Sequence, residues 1–181
     1  MTTYSIPGLS QQQCDEIAAI LQERLSAYND LHLTLKHVHW NVVGPNFIGV
    51  HEMIDPQVEL VRGYADAVAE RIAALGGSPR GTIGAISADR TWDDYALGRD
   101  TVPAHLAALN LVYSGVIESS RKAIERAGEH DPVTEDLLIG QTAEFEQFQW
   151  FVRAHLENAG GHLASEGATT EEEAAEKARD L

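Results

Sequence analysis

Cysteine is nearly absent: the chain of 181 residues holds one, Cys14. A single thiol can form neither an intrachain disulfide nor a thiolate metal cluster, so metal chemistry would have to rest on imidazole and carboxylate, and a reducing cytoplasm is the expected compartment. Basic residues are scarce too, 13 Lys and Arg against 28 Asp and Glu, for a formal charge of −15. Sequence-independent affinity for nucleic acid comes mainly from cationic side chains that neutralise phosphates, so this surface should repel DNA and attract metal cations. No long hydrophobic run escapes interruption by charge, which argues against a membrane helix, and Met1–Ser10 lacks the basic and apolar regions of a secretory leader. Val/Thr alternation is rare and no repeat of solenoid period occurs, which disfavours sheets and repeat arrays.

What the sequence does contain is helical periodicity. Ser10 and Gln13 form a capping box ahead of the series Ile17, Ile20, Leu21, Leu25, Tyr28, Leu31, Leu35 and Val38, predicting one long helix to Asn41 that Gly44-Pro45 ends. A second helix is expected from about Ile48 to Leu75, closed by Gly76-Gly77-Ser78-Pro79 and kinked at Pro56. Residues 80–99 read as an ordered crossover with one short helix, and a third long helix is expected over about residues 101–127. Asp131 can cap a fourth, with Pro132 at its first position, running to Asn158 before Gly160-Gly161. The expected fold is therefore all-α, a four-helix bundle of residues 1–161 with a long crossover between helices two and three. Residues 162–181, rich in Ala, Glu and Thr, are expected to form a mobile acidic tail, at most with a frayed helix after the Thr170 to Glu173 capping box.

The residues that carry chemistry are His39, His51, Asp55, Asp66 and Glu70, a mixture of imidazole and carboxylate suited to Fe, Mn or Zn. His51 and Asp55 are four apart, as are Asp66 and Glu70, so each pair projects from one side of its helix. Eleven residues separate Asp55 from Asp66, about 16 Å of helix rise, whereas paired metal ions lie about 3.5–4 Å apart. One chain cannot bring both pairs to one ion. A two-fold dimer with antiparallel second helices would do so, and would generate two equivalent sites. Among the other histidines, His32 lies seven residues before His39 on the same stripe and suits a core or interface role, while Lys36, His37 and His155 have no evident partner.

The run His39-Trp40-Asn41, Gly44-Pro45-Asn46-Phe47, His51-Glu52-Met53-Ile54-Asp55, Asp66, Ala69-Glu70-Arg71 and Leu75-Gly76 resembles the inter-subunit ferroxidase motif of the Dps family of mini-ferritins. The resemblance implies a ferritin-like bundle assembled from two-fold dimers into a hollow dodecamer. In it His39, His51 and Asp55 of one subunit, with Asp66 and Glu70 of its mate, would bind two irons. It also implies oxidation of Fe(II), preferably by hydrogen peroxide, storage of ferric oxide, and a possible electron-donor role for Trp40 beside the site. Glu129, Asp131 and Asp136, around the start of the fourth helix, would line an iron-entry pore. Clustered anionic ligands favour Fe(III) over Fe(II), and two irons deliver two electrons to peroxide together.

Three other readings compete. An ordinary di-iron bundle would carry Glu-x-x-His, and no Glu here has His three residues on. A zinc protease is suggested only by His51-Glu52-x-x-Asp55, one residue away from the required motif, and a metal-dependent hydrolase of amides or esters would need a substrate pocket the sequence does not name. A DNA-compacting protein would carry basic arms, as members of the resembled family often do. Here residues 1–13 hold no Lys or Arg, and residues 162–181 hold Lys177 and Arg179 against Glu166, Glu171, Glu172, Glu173, Glu176 and Asp180, a net −4. Direct DNA binding and a nucleoid location are accordingly not expected.

Overall fold

The structure, a computed structural model, describes residues 6–181. Its helices are α1 (Gln11–Asn41), α2 (Phe47–Ala74), the short α3 (Ile83–Asp89), α4 (Val102–Gly128), α5 (Pro132–Ala154) and α6 (Glu171–Ala178). Two residue pairs form the strands β1 (Val42–Val43) and β2 (Asp100–Thr101), joined in parallel with Val42 opposite Asp100. The all-α expectation, with four long helices and a crossover carrying one short helix, holds. The chain divides into two compact units. The first comprises the chain up to His32, Glu59–Thr91 and Glu118–Ala143; the second comprises Leu33–Val58, Trp92–Ile117 and Glu144–Leu181.

Local chemistry sets the helix ends. At the start of α1 the Ser10 N–H donates to Gln13 Oε1 at 2.9 Å while the Gln13 N–H donates back to Ser10 Oγ, the reciprocal capping box. At the end of α2 Gly76 takes a left-handed φ of 87°, and the Gly77 N–H reaches back to the Ile72 carbonyl, a bond only a left-handed residue permits. α2 runs unbroken through Pro56. The proline deprives the Glu52 carbonyl of its helical donor, but both residues are exposed, so water can serve it. α5 stops at Ala154, short of the expected Asn158, because the chain turns back: Asn158 N–H bonds the His162 carbonyl and Ala164 N–H bonds that of buried Leu156.

Within the first unit, the apolar rows of α1 and α2 bury Ile17, Leu21, Val61, Val68 and Ile72, with Leu138 from α5. Arg24 is also buried there, its Nη1 donating to Ser119 Oγ at 2.7 Å. Within the second unit, the segment expected as a mobile tail carries an ordered helix. Thr170 caps α6 by accepting from the Glu173 N–H, and Ala174, Ala175 and Ala178 are buried, with Ala175 in a cluster with Leu97, Ala104 and Ala108. Arg179 pairs with Asp100 at 2.8 Å, and Glu171 accepts from the Ala96 N–H. The tail's composition obscured this because its anchors are alanines, too small to register as an apolar stripe. No helix among the described residues is long and apolar enough to cross a membrane.

Candidate metal centre

His39 sits near the end of α1 and His51 near the start of α2, and the turn between them brings the two side chains together. Gly44 (φ 96°) and Asn46 (φ 64°) both take left-handed conformations, and the Phe47 N–H closes on the Gly44 carbonyl, so the chain reverses in a few residues. The imidazole rings stack with centroids 3.5 Å apart and planes 23° from parallel. Each is held reciprocally: His39 Nδ1 lies 2.9 Å from the His51 carbonyl, and His51 Nδ1 lies 2.9 Å from the His39 carbonyl. A carbonyl only accepts, so both Nδ1 atoms carry the proton in these bonds. In the neutral ring this tautomer leaves the lone pair on Nε2, the form that ligates a metal.

Asp55, one turn beyond His51, completes this group. Its Oδ1 lies 3.2 Å from His39 Nδ1 and accepts from Lys36 Nζ at 2.7 Å. The Lys36 hydrogen bond, with the Lys36 charge, holds the Asp55 carboxyl below its ordinary pKa. Lys36, which lacked a partner in the sequence, is thus part of the site. Its signal was its place three residues before His39, on the same helix face. Phe47 packs edge-on to His51 at 6.1 Å.

Asp66 and Glu70 are exposed on α2, farther along the same helix. Among the described residues, no group of three or more His, Cys, Asp or Glu is arranged to hold a metal within one chain. Trp40, next to His39, is 69% exposed and not a buried aromatic wedge. Leu33, Phe47 and Ile48 are exposed as well, leaving apolar surface beside the histidines.

The expected pore residues part company. Glu129 and Asp136 are exposed, but Asp131 is 4% exposed and committed inward. It caps α5 by accepting from the Val133 and Thr134 N–H groups, takes the Thr134 hydroxyl, and pairs with Arg71 Nη2 at 2.5 Å. Burial opposes its ionisation, yet the Thr134 and Arg71 bonds outweigh that, and the carboxyl stays below its ordinary pKa. His37 bonds the Leu97 carbonyl at 2.8 Å, and His155 bonds that of Phe151 at 2.7 Å. His32 is half-buried, and burial pushes its pKa down.

Residues 18–160 match the family model described as "Ferritin-like domain", which places these long helices in the ferritin-like class. The chain belongs to the DNA protection during starvation (Dps) family within that class. It is 70% identical to the DNA protection during starvation protein of Mycolicibacterium smegmatis, over 99% of this chain and 98% of that one. It is 34% identical to the protein of that name from Agrobacterium fabrum, over 78% of this chain and 88% of that one. Among solved structures it superposes on Mycobacterium smegmatis Dps with a TM-score of 0.92, at 70% identity, covering 94% of this chain and 97% of that one. For DpsA14 from Streptomyces coelicolor the TM-score is 0.88, at 64% identity, covering 89% and 96%.

Proposed function

We propose that the protein is a ferroxidase and iron store whose metal sites form between two copies of the chain. The observation that carries this reading is the pair of stacked imidazoles beside Asp55 with both Nδ1 atoms tied to backbone carbonyls, a tautomer that leaves Nε2 available to a metal in each neutral ring. Asp66 and Glu70 lie too far along α2 to join them in the same chain, by about 16 Å of helix rise. A second copy, antiparallel across a two-fold axis, supplies them. The exposed Trp40, Phe47 and Ile48 give that contact apolar area.

Iron is here the substrate and the cargo. His39, His51 and Asp55 of one copy and Asp66 and Glu70 of the other hold two Fe(II) ions at each shared site, and the carboxylates favour the ferric product. Hydrogen peroxide is the preferred oxidant because two irons supply both electrons it needs to become water without releasing a hydroxyl radical. Dimers assemble into a hollow dodecamer that retains ferric oxide, and the exposed Glu129 and Asp136 attract Fe(II) to an entry pore. DNA is protected in the cytoplasm by removal of Fe(II) and peroxide and not by binding.

The test is to add substoichiometric peroxide to anaerobic Fe(II)-loaded protein and follow ferric absorbance in the wild type and in Asp66→Ala/Glu70→Ala. Rapid oxidation that the variant lacks supports the shared site. Equal rates would mean that these carboxylates are only a solvated helix face.

A further inference from the structure

The second unit contains a partly buried tyrosine that the ferroxidase reading does not use. Tyr95, in the crossover, places its hydroxyl 3.0 Å from Nδ1 of His105 on α4, the two rings nearly parallel at 11°. His105 is 0% exposed. Tyr95 also meets His37 on α1, ring centroids 5.8 Å apart in an edge contact. His37 lies two residues from His39 along the same helix.

We propose that Tyr95 and His105 form a one-electron donor that intercepts oxidising radicals escaping the metal centre, a role that rests on the ferroxidase reading above. When a lone Fe(II) reduces peroxide by one electron, the products are Fe(III), hydroxide and a hydroxyl radical. The Tyr95 O–H bond then breaks, its proton passes along the existing hydrogen bond to His105 Nδ1, and its electron leaves by way of His37 and α1. The hydroxyl radical becomes hydroxide, Tyr95 becomes a neutral tyrosyl radical, and His105 becomes imidazolium. A further Fe(II), oxidised to Fe(III), returns the electron to Tyr95 as the proton comes back from His105.

The surroundings suit this exchange. Burial, with the nearby Glu171 and Asp100 carboxylates, pushes the Tyr95 pKa far up, so the phenol cannot simply ionise and needs a proton acceptor within reach. Burial lowers the His105 pKa, keeping the ring neutral with a lone pair, while Asp100 and the backbone at Asn41 and Gly98 pull the other way and support the charge once the proton arrives. Tyr113 makes a useful contrast, because its hydroxyl donates to the Gln57 amide oxygen, which is no proton acceptor at neutral pH.

The test uses the full-length assembled protein and two oxidants. With Fe(II) and excess peroxide, freeze-quenched samples of the wild type should show a tyrosyl signal by electron paramagnetic resonance, absent in Tyr95→Phe, while ferric absorbance rises equally in both. With iron-free protein and photogenerated tris-bipyridyl ruthenium(III), the same radical should form more slowly in D2O, and in lower yield in His105→Asn. An unchanged tyrosyl signal in Tyr95→Phe, or none in the wild type with the ruthenium oxidant, overturns the assignment. Failure of ferric absorbance to rise sinks the ferroxidase reading instead, and the ruthenium experiment still decides the pair.

Discussion

Asp131 offers the sharpest separation of a structural from a transport role. In Asp131→Ala, α5 loses its cap, which costs about 1 kcal/mol. The Arg71 guanidinium, 18% exposed, and the buried Thr134 hydroxyl lose their acceptor, adding roughly 2 kcal/mol for polar groups left unsatisfied. The total of about 3 kcal/mol corresponds to a fall in Tm of roughly 6–12 °C for a chain of this size. Asp131→Asn keeps an oxygen for the cap and loses the charge, so about half the effect is expected. Because the Asp131 pKa is depressed in the fold, its contribution is complete above the ordinary carboxylate range and disappears as pH falls through the lower folded value. Denaturant titration at fixed protomer concentration, repeated from neutral pH into acid, measures this. A loss below about 1 kcal/mol in Asp131→Ala would refute the cap, since removal of a cap and an ion pair together should exceed either alone. Slowed iron uptake in Asp131→Asn at unchanged stability would restore the pore role.

Three further outcomes are expected. Mixed dissociated subunits of Asp66→Ala/Glu70→Ala and His39→Ala/His51→Ala, each inactive alone, should regain about a quarter of wild-type oxidation, because half of randomly formed two-fold dimers are mixed and each carries one intact site; no recovery would count against sharing. Ala175→Glu should undock α6, since a carboxylate buried against Leu97, Ala104 and Ala108 without a partner costs several kcal/mol, and limited proteolysis within residues 162–181 should accelerate; unchanged cleavage would show that the alanine face does not hold the helix. The apo-protein should not retard duplex DNA at physiological salt, given a net charge of −15, and retardation that fades as salt rises would reveal a basic patch strong enough to overcome it.

The long helices were legible because each apolar row repeats at helical spacing over many turns and is bounded by strong punctuation: Ser10 with Gln13, Gly76-Gly77, and Asp131-Pro132. Of the five candidate ligands, the four-residue spacing of His51 and Asp55 pointed to a pair that the structure places beside His39, whereas the Asp66 and Glu70 pair is a common pattern on solvated helices and its part in the site is a proposal. What escaped depends on contacts distant in sequence. The Tyr95–His105 and Arg179–Asp100 pairs join segments separated by 10 and 79 residues, and no periodicity announces them. α6 hid behind alanines. Asp131 was correctly expected at the cap, but its pairing with Arg71 could not be foreseen from charge alone. An acidic residue at a helix start serves the dipole and the first N–H groups as readily as it serves a pore.

On the proposed shared site, the spacing on α2 would also join activity to assembly. A site completed within one chain would oxidise Fe(II) in any folded subunit, including one with no cavity in which to deposit the product. When His39, His51 and Asp55 must wait for the carboxylates of a second copy, a lone subunit brings only three of the five ligands to each site and little of the driving force toward Fe(III). On that proposal oxidation would be confined to paired subunits, whose contact would cover Trp40, Phe47 and Ile48, exposed in the single chain. The apolar area beside the histidines and the division of the ligands would then serve one device. Replacing Phe47 with a charged residue should therefore abolish ferroxidation through loss of pairing, with every ligand intact.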